Sequence, residues 1–229
     1  MRVLLWAVCL LAAQQPRYEP TTNYTVRNIE GWTVYVNKSL LTEKKMVGDK
    51  TLRLLEVKLY DTSRVVPKRA LEELRQVPIW VEFQDSDIRC SCYHPSEKWL
   101  AAHGFHPEKA KSVEIGNASN FLQWTLDQPS MVLHELAHAY HHRVLGYDDP
   151  DIKAAYKSAV ESKSYESVLR YNGRMARAYA LNNDQEYFAE LTEAYFGQND
   201  FYPFVRAEVA KHDPAMYEIL KKLWREPGH

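Results

Sequence analysis

His134 and His138 stand four positions apart with Glu135 beside the first, inside the run Pro-Ser-Met-Val-Leu-His-Glu-Leu-Ala-His-Ala-Tyr-His-His over 129–142. Four positions are just over one helical turn, so both imidazoles leave one face and can reach a single divalent ion. Glu135 is rotated to address a water beside them. Between Met131 and Tyr140 these three are the only polar residues. A helix that is apolar nearly all round is a buried helix, and ionisable groups on it need partners to offset their desolvation. A metal supplies such a partner and makes water a nucleophile, with the carboxylate as its general base. The bland alternative is a buried helix whose histidines bond neighbouring carbonyls.

The elements that must position these residues are legible in outline. Pro129 provides a helix start and Gly146 lies just past the last apolar residue, so a continuous helix is expected over 129–145. A third protein donor has to come from elsewhere. His142 lies about 12 Å along that helix from His134, and His141 fails for the same reason. The strongest candidate is the helix expected over 183–196, where Glu186, Glu190 and Glu193 share one face and Tyr187, Phe188, Leu191, Ala194 and Tyr195 the other. That pattern turns the glutamates to solvent, and Glu186, three residues after Asn183, could simply complete a capping box. An open cleft is also solvent, so a ligand role for Glu186 stays compatible.

The His-Glu-Leu-Ala-His helix, then Tyr179, then Glu186-Tyr-Phe-Ala-Glu190, resembles the catalytic-domain family of anthrax lethal factor, a gluzincin group of zinc peptidases. The likeness covers residues 130–196. It implies a zincin-like fold in which His134, His138 and Glu186 hold one zinc ion and Glu135 is the general base. It further implies that Tyr179 presents its phenol to the developing oxyanion and that Glu190 orients a ligand histidine from behind. Tyr179 also reads as the end of a tyrosine-rich hairpin strand, where a tyrosine packed on a sheet is the alternative.

With 229 residues, 45% apolar and 26% charged, the chain fits one globular domain. Lysine and arginine total 29 against 30 acidic residues, so no broad electrostatic footprint for nucleic acid or anionic membrane exists. Arg2 followed by the apolar run 3–13 reads as a signal peptide over 1–15, cut near residue 13, too short to span a bilayer. Residues 16–229 then form a single catalytic domain, secreted or otherwise extracytoplasmic, expected to be a monomer acting on a peptide or protein. Cys90 and Cys92, separated by Ser91, would close a strained disulfide ring; alternatively Cys90, Cys92 and His94 lie on one strand face as three soft ligands. Asn23, Asn37 and Asn117 each begin a glycosylation sequon.

Strand signals over 32–36, 79–83 and 112–115 collect early and helices late, which argues an α+β fold with a small N-terminal sheet and a mostly helical C-terminal part. A hairpin is expected over 168–179 around Asn172-Gly173, and helices over 203–211 and 214–225. The strand near residues 112–116 is expected to edge the cleft and pair with extended substrate. The expected function is a secreted zinc endopeptidase. The alternatives are a catalytically silent zincin-fold binding module and a structural exported protein without metal.

Overall fold

Trp32, Val34 and Val36 alternate with less buried residues, the period-two pattern of a strand with one face in the core. In the computed structural model, which describes residues 18–85 and 88–224, they belong to strand β2 (Trp32–Asn37), paired with β1 (Tyr24–Ile29). The two are joined by Glu30 (φ 53°) and Gly31 (φ 93°), a two-residue turn with both central residues at positive φ that matches the strands' twist. The chain continues through helices α1 (Lys45–Val65) and α2 (Lys68–Arg75), strands β3 (Ile79–Val81) and β4 (Ser91–Tyr93), helix α3 (Glu97–Ala102), strand β5 (Val113–Ile115) and helix α4 (Ala118–Trp124).

The five strands order as β1-β2-β3-β5-β4, with β2, β3 and β5 parallel and both outer strands antiparallel. This corrects the expected cleft edge: β5 is internal, flanked by β3 and β4, so its backbone groups are already paired. The edge belongs to β4, whose Ser91, Cys92 and Tyr93 oppose Ile115, Glu114 and Val113.

The second half is helical: α5 (Met131–Tyr140), α6 (Pro150–Ser162), α7 (Asp184–Phe196), α8 (Arg206–His212) and α9 (Pro214–Leu223). A short hairpin, β6 (Val168–Leu169) and β7 (Met175–Ala176), interrupts them. The hairpin is shorter than expected, because Tyr179 opens a 3-10 turn, Tyr179–Asn182, instead of ending a strand. The helix expected from Pro203 begins only at Arg206. The helix expected over 129–145 changes character at its end: α5 stops at Tyr140 and His141–Leu145 form a wider π-helical turn, closed by Gly146 at φ 82°.

Sheet and helices share one core, in which Trp32, Leu55, Leu74, Ile79, Ile115, Phe121 and Leu136 are buried with Phe188 and Leu191 of α7. The architecture is α+β, a small mixed sheet followed by a mostly helical half. Among the described residues no helix is long and apolar enough to cross a membrane. The signal segment read at 1–15 lies outside the described residues. All three sequon asparagines are hydrogen-bonded through their side chains: Asn23 donates to Glu19, Asn37 caps the 3-10 turn after β2 and donates to Glu82, and Asn117 caps α4.

Candidate metal centre

Helix α5 is buried along nearly its whole circumference, with Met131, Val132, Leu133, Leu136, Ala137 and Ala139 in the core. Helix α7 packs against it. Just beyond α7, a Cβ on Gly197 would sit 2.6 Å from the Ser130 hydroxyl, which accepts a hydrogen bond from the Gln198 amide at 3.0 Å. A larger residue there would have to displace the Ser130 hydroxyl from this bond.

That packing brings Glu186 to the histidines. Its Oε2 lies 3.1 Å from His134 Nε2 and 3.2 Å from His138 Nε2, and the two nitrogens are 3.0 Å apart. Asn183 caps α7 by accepting from the Glu186 amide at 2.8 Å, so the cap is real. The Glu186 carboxylate nevertheless faces α5 instead of folding back on the cap.

On the far side of the ring, His134 Nδ1 is 2.6 Å from Glu193 Oε1 and 3.8 Å from Glu190 Oε1. The short bond behind the ligand histidine therefore goes to Glu193, where Glu190 was expected. A residue seven positions after Glu186 lies two turns on, nearly in line with it, whereas one four positions on is rotated slightly aside. With Nδ1–H donated to Glu193, the Nε2 lone pair of His134 points at His138 Nε2 and Glu186 Oε2. The three atoms lie close enough for one ion to bridge them, and His134, His138 and Glu186 are a group that could hold a metal ion.

The electrostatics describe the same demand. Burial works to depress the His134 pKa, but hydrogen bonds to Glu186 and Glu193 outweigh it and hold the imidazole well above its ordinary range. Burial would raise Glu186, yet bonds from His134 and His138 drive its carboxyl far below the carboxylate range. Glu190 moves the opposite way, raised by burial and by the nearby Glu193 charge. Its Oε2 has no hydrogen-bond partner. Among the described residues, the ion pairs of Glu186, Glu190 and Glu193 are with histidines alone.

A cleft of about 370 Å³ reaches the centre at His134, Glu190 and Glu193, while His138 and Glu186 stand outside its lining; Ser91, Met131, Arg170, Tyr179 and Phe201 complete its walls. Glu135, buried, also lines it and accepts a hydrogen bond from the Ser91 hydroxyl of edge strand β4 at 3.2 Å. The Tyr179 ring is 6.4 Å from that of His134 and remains 46% exposed, so it stands at the rim and is not packed on a sheet. Arg170 and Asp200, both in the cleft wall, are paired at 3.2 Å.

His141 and His142 take no part. His141 is fully buried against Phe188 and Tyr147, and His142 Nδ1 bonds the Tyr93 hydroxyl at 2.9 Å. Cys90 and Cys92 are free, Cys90 facing the Met131 sulfur and Cys92 facing His94, so neither a disulfide nor a Cys90, Cys92, His94 cluster forms. Sequence reasoning missed Ser91, for which no pattern exists. It noticed Glu193 only as one of three carboxylates on a face.

The chain matches no family model, no curated protein and no solved structure.

Proposed function

We propose that the protein is a zinc-dependent endopeptidase that hydrolyses peptide bonds in the cleft beside α5. The observation that carries this reading is the meeting of His134 Nε2, His138 Nε2 and Glu186 Oε2 within 3.2 Å of one another, with Glu135 lining the same cleft. Two imidazoles and one carboxylate are a donor set suited to zinc that leaves a position open for chemistry. A zinc ion bound there supplies Lewis acidity that polarises a carbonyl and activates water near neutral pH.

The chain's own groups do the rest. Glu135 takes the proton of the attacking water and delivers it to the leaving amine, held in place by the Ser91 hydroxyl. Glu193 keeps His134 in the tautomer whose Nε2 is free. Tyr179 at the rim offers a phenol to the oxyanion. The edge strand β4 leaves one row of backbone groups for an extended peptide, which fits a polypeptide substrate better than a small molecule. With the leader read at residues 1–15, the reaction belongs outside the cytoplasm, and the chain acts as a monomer.

The test is cleavage of a denatured protein by the purified chain. Glu135→Gln is expected to lower the rate by a factor of roughly 10²–10⁴ with zinc content unchanged. A fully folded, zinc-loaded protein that cleaves nothing across a broad peptide library would leave a binding module instead.

A further inference from the structure

The strand register lines up Tyr35, Trp80, Glu114 and Cys92 as one row across β2, β3, β5 and β4. This row is on the sheet face turned away from α5, since Ser91, the neighbour of Cys92, is the residue that reaches Glu135. At its end a thiol, an imidazole and a carboxylate meet. Cys92 Sγ is 3.4 Å from His94 Nε2, and Glu114 Oε2 is 2.6 Å from the same nitrogen. His94 and Glu114 are both buried.

One imidazole nitrogen cannot donate to a carboxylate and accept from a thiol at once. In a purely hydrogen-bonded cluster, the short bond to Glu114 leaves the Cys92 sulfur only a weak share of that nitrogen. A metal satisfies all three donors, as at the α5–α7 centre.

The charge balance also accommodates an ion. Lys109 is buried between Glu82 at 2.7 Å and Glu114 at 2.5 Å, so a single cation faces two carboxylates. A divalent ion with the Cys92 thiolate leaves the cluster neutral: Glu82, Glu114 and Cys92 carry three negative charges, Lys109 and the ion three positive ones, and His94 none. Buried groups are stable when so compensated.

We propose that Cys92, His94 and Glu114 form a second metal site, selective for zinc-class ions because it combines thiolate and imidazole. Binding exchanges the thiol proton of Cys92 for the ion. Three protein donors leave one position of a tetrahedral ion for water on the half-buried side of Cys92. Because Cys92 and Glu114 are cross-strand partners, the ion clamps β4 to β5 and so fixes the strand whose other face presents Ser91 to Glu135.

Cobalt distinguishes the two centres, because only this one includes sulfur. The full chain, stripped with a chelator and reloaded with Co²⁺, is expected to bind a second equivalent and to show sulfur-to-cobalt charge-transfer absorption in the near ultraviolet. Cys92→Ala should remove that absorption and one equivalent of cobalt, Cys90→Ala should keep both, and Glu186→Gln should lose the other equivalent while keeping the absorption. Cobalt should also protect Cys92 of the native chain from alkylation, a readout that needs no variant to fold. A folded native chain that binds cobalt without the absorption and without protection of Cys92 overturns the site, as does absorption that follows Cys90.

Discussion

Two buried clusters in this chain gather imidazole and carboxylate, and they balance their charge differently. Around His134 stand Glu186, Glu190 and Glu193, whose ion pairs among the described residues are with histidines only. On the sheet face, Glu82 and Glu114 share Lys109, and Tyr24 and Asn37 supply further hydrogen bonds to Glu82. The sheet cluster holds a cation of its own, Lys109, and ties β4 to β5, so it serves structure. Among the described residues the helical cluster pairs with no lysine or arginine, and its His134, Glu190 and Glu193 line a cleft.

The largest effect should come from removing the lysine of the sheet cluster. Lys109→Met takes the shared lysine from two buried carboxylates, leaving Glu114 with His94 and Glu82 with Tyr24 and Asn37, and breaking a buried pair from one side costs on the order of 3–5 kcal/mol. The exposed pair Lys45–Asp49 is the control, since an i,i+4 surface pair contributes below about 1 kcal/mol. Urea denaturation of Lys109→Met and Lys45→Met checks the contrast. Similar midpoints for the two would mean that the Lys109 network contributes no more than a surface pair.

A second contrast lies within one stretch of chain. His134 is held above its ordinary pKa by two carboxylates, whereas burial lowers His141, fully buried with neither ring nitrogen hydrogen-bonded, to about 4, with the charge of His138 adding to the effect. Folded His141 stays neutral while the unfolded chain takes up a proton below about pH 6.5. The unfolded state then binds more protons, so the stability tied to His141 is complete above pH 6.5 and is lost as pH falls toward 4. His141→Phe should flatten the stability profile across that window, by up to about 3 kcal/mol at its acid end. Parallel profiles for the two proteins would show that His141 finds a partner in solution.

The His134 partners offer a finer test. Glu193 touches Nδ1 at 2.6 Å and Glu190 stands off at 3.8 Å. Outer partners of ligand histidines contribute roughly 10–100-fold to metal affinity or activity. Glu193→Gln is therefore expected to weaken zinc binding within that range in competition with a chelator, and Glu190→Gln to weaken it less. The reverse order would return the orienting role to Glu190.

How far the sequence could be read follows from these same positions. His134, Glu135 and His138 were legible because helical spacing alone puts them together, and the α+β class because strands and helices segregate along the chain. Glu186 was legible only as a carboxylate on a polar face. Helical periodicity predicts solvent for that face, while in the folded chain Glu190 and Glu193 are buried against α5. Amphipathic pattern distinguishes two faces of a helix but does not say whether the polar one meets water or another element's polar groups. β1 was missed because it is an outer strand with Arg27 and Asn28 on exposed positions, which leaves little alternation to detect. β4 is three residues long, and its place at the edge depends on pairings across the sheet that no local pattern encodes. The pairing of Cys92 with Glu114 is equally non-local, so the soft-ligand reading chose Cys90, the nearer residue in sequence.

The smallest effect is expected on that short strand, where successive residues serve opposite faces. Ser91→Ala removes one hydrogen bond to Glu135, at 3.2 Å a long one, and should cost about 1 kcal/mol of transition-state stabilisation, roughly a fivefold loss in kcat. KM and metal content should hold, because the hydroxyl touches neither the histidines nor Glu186. Ser91→Thr, which keeps a hydroxyl, should recover part of the rate; Cys92→Ala, one residue on, should instead change metal content. If Ser91→Ala lowered metal content as well, the two faces of β4 would not be independent, and loosening of the edge strand would explain both phenotypes better than separate roles for its side chains.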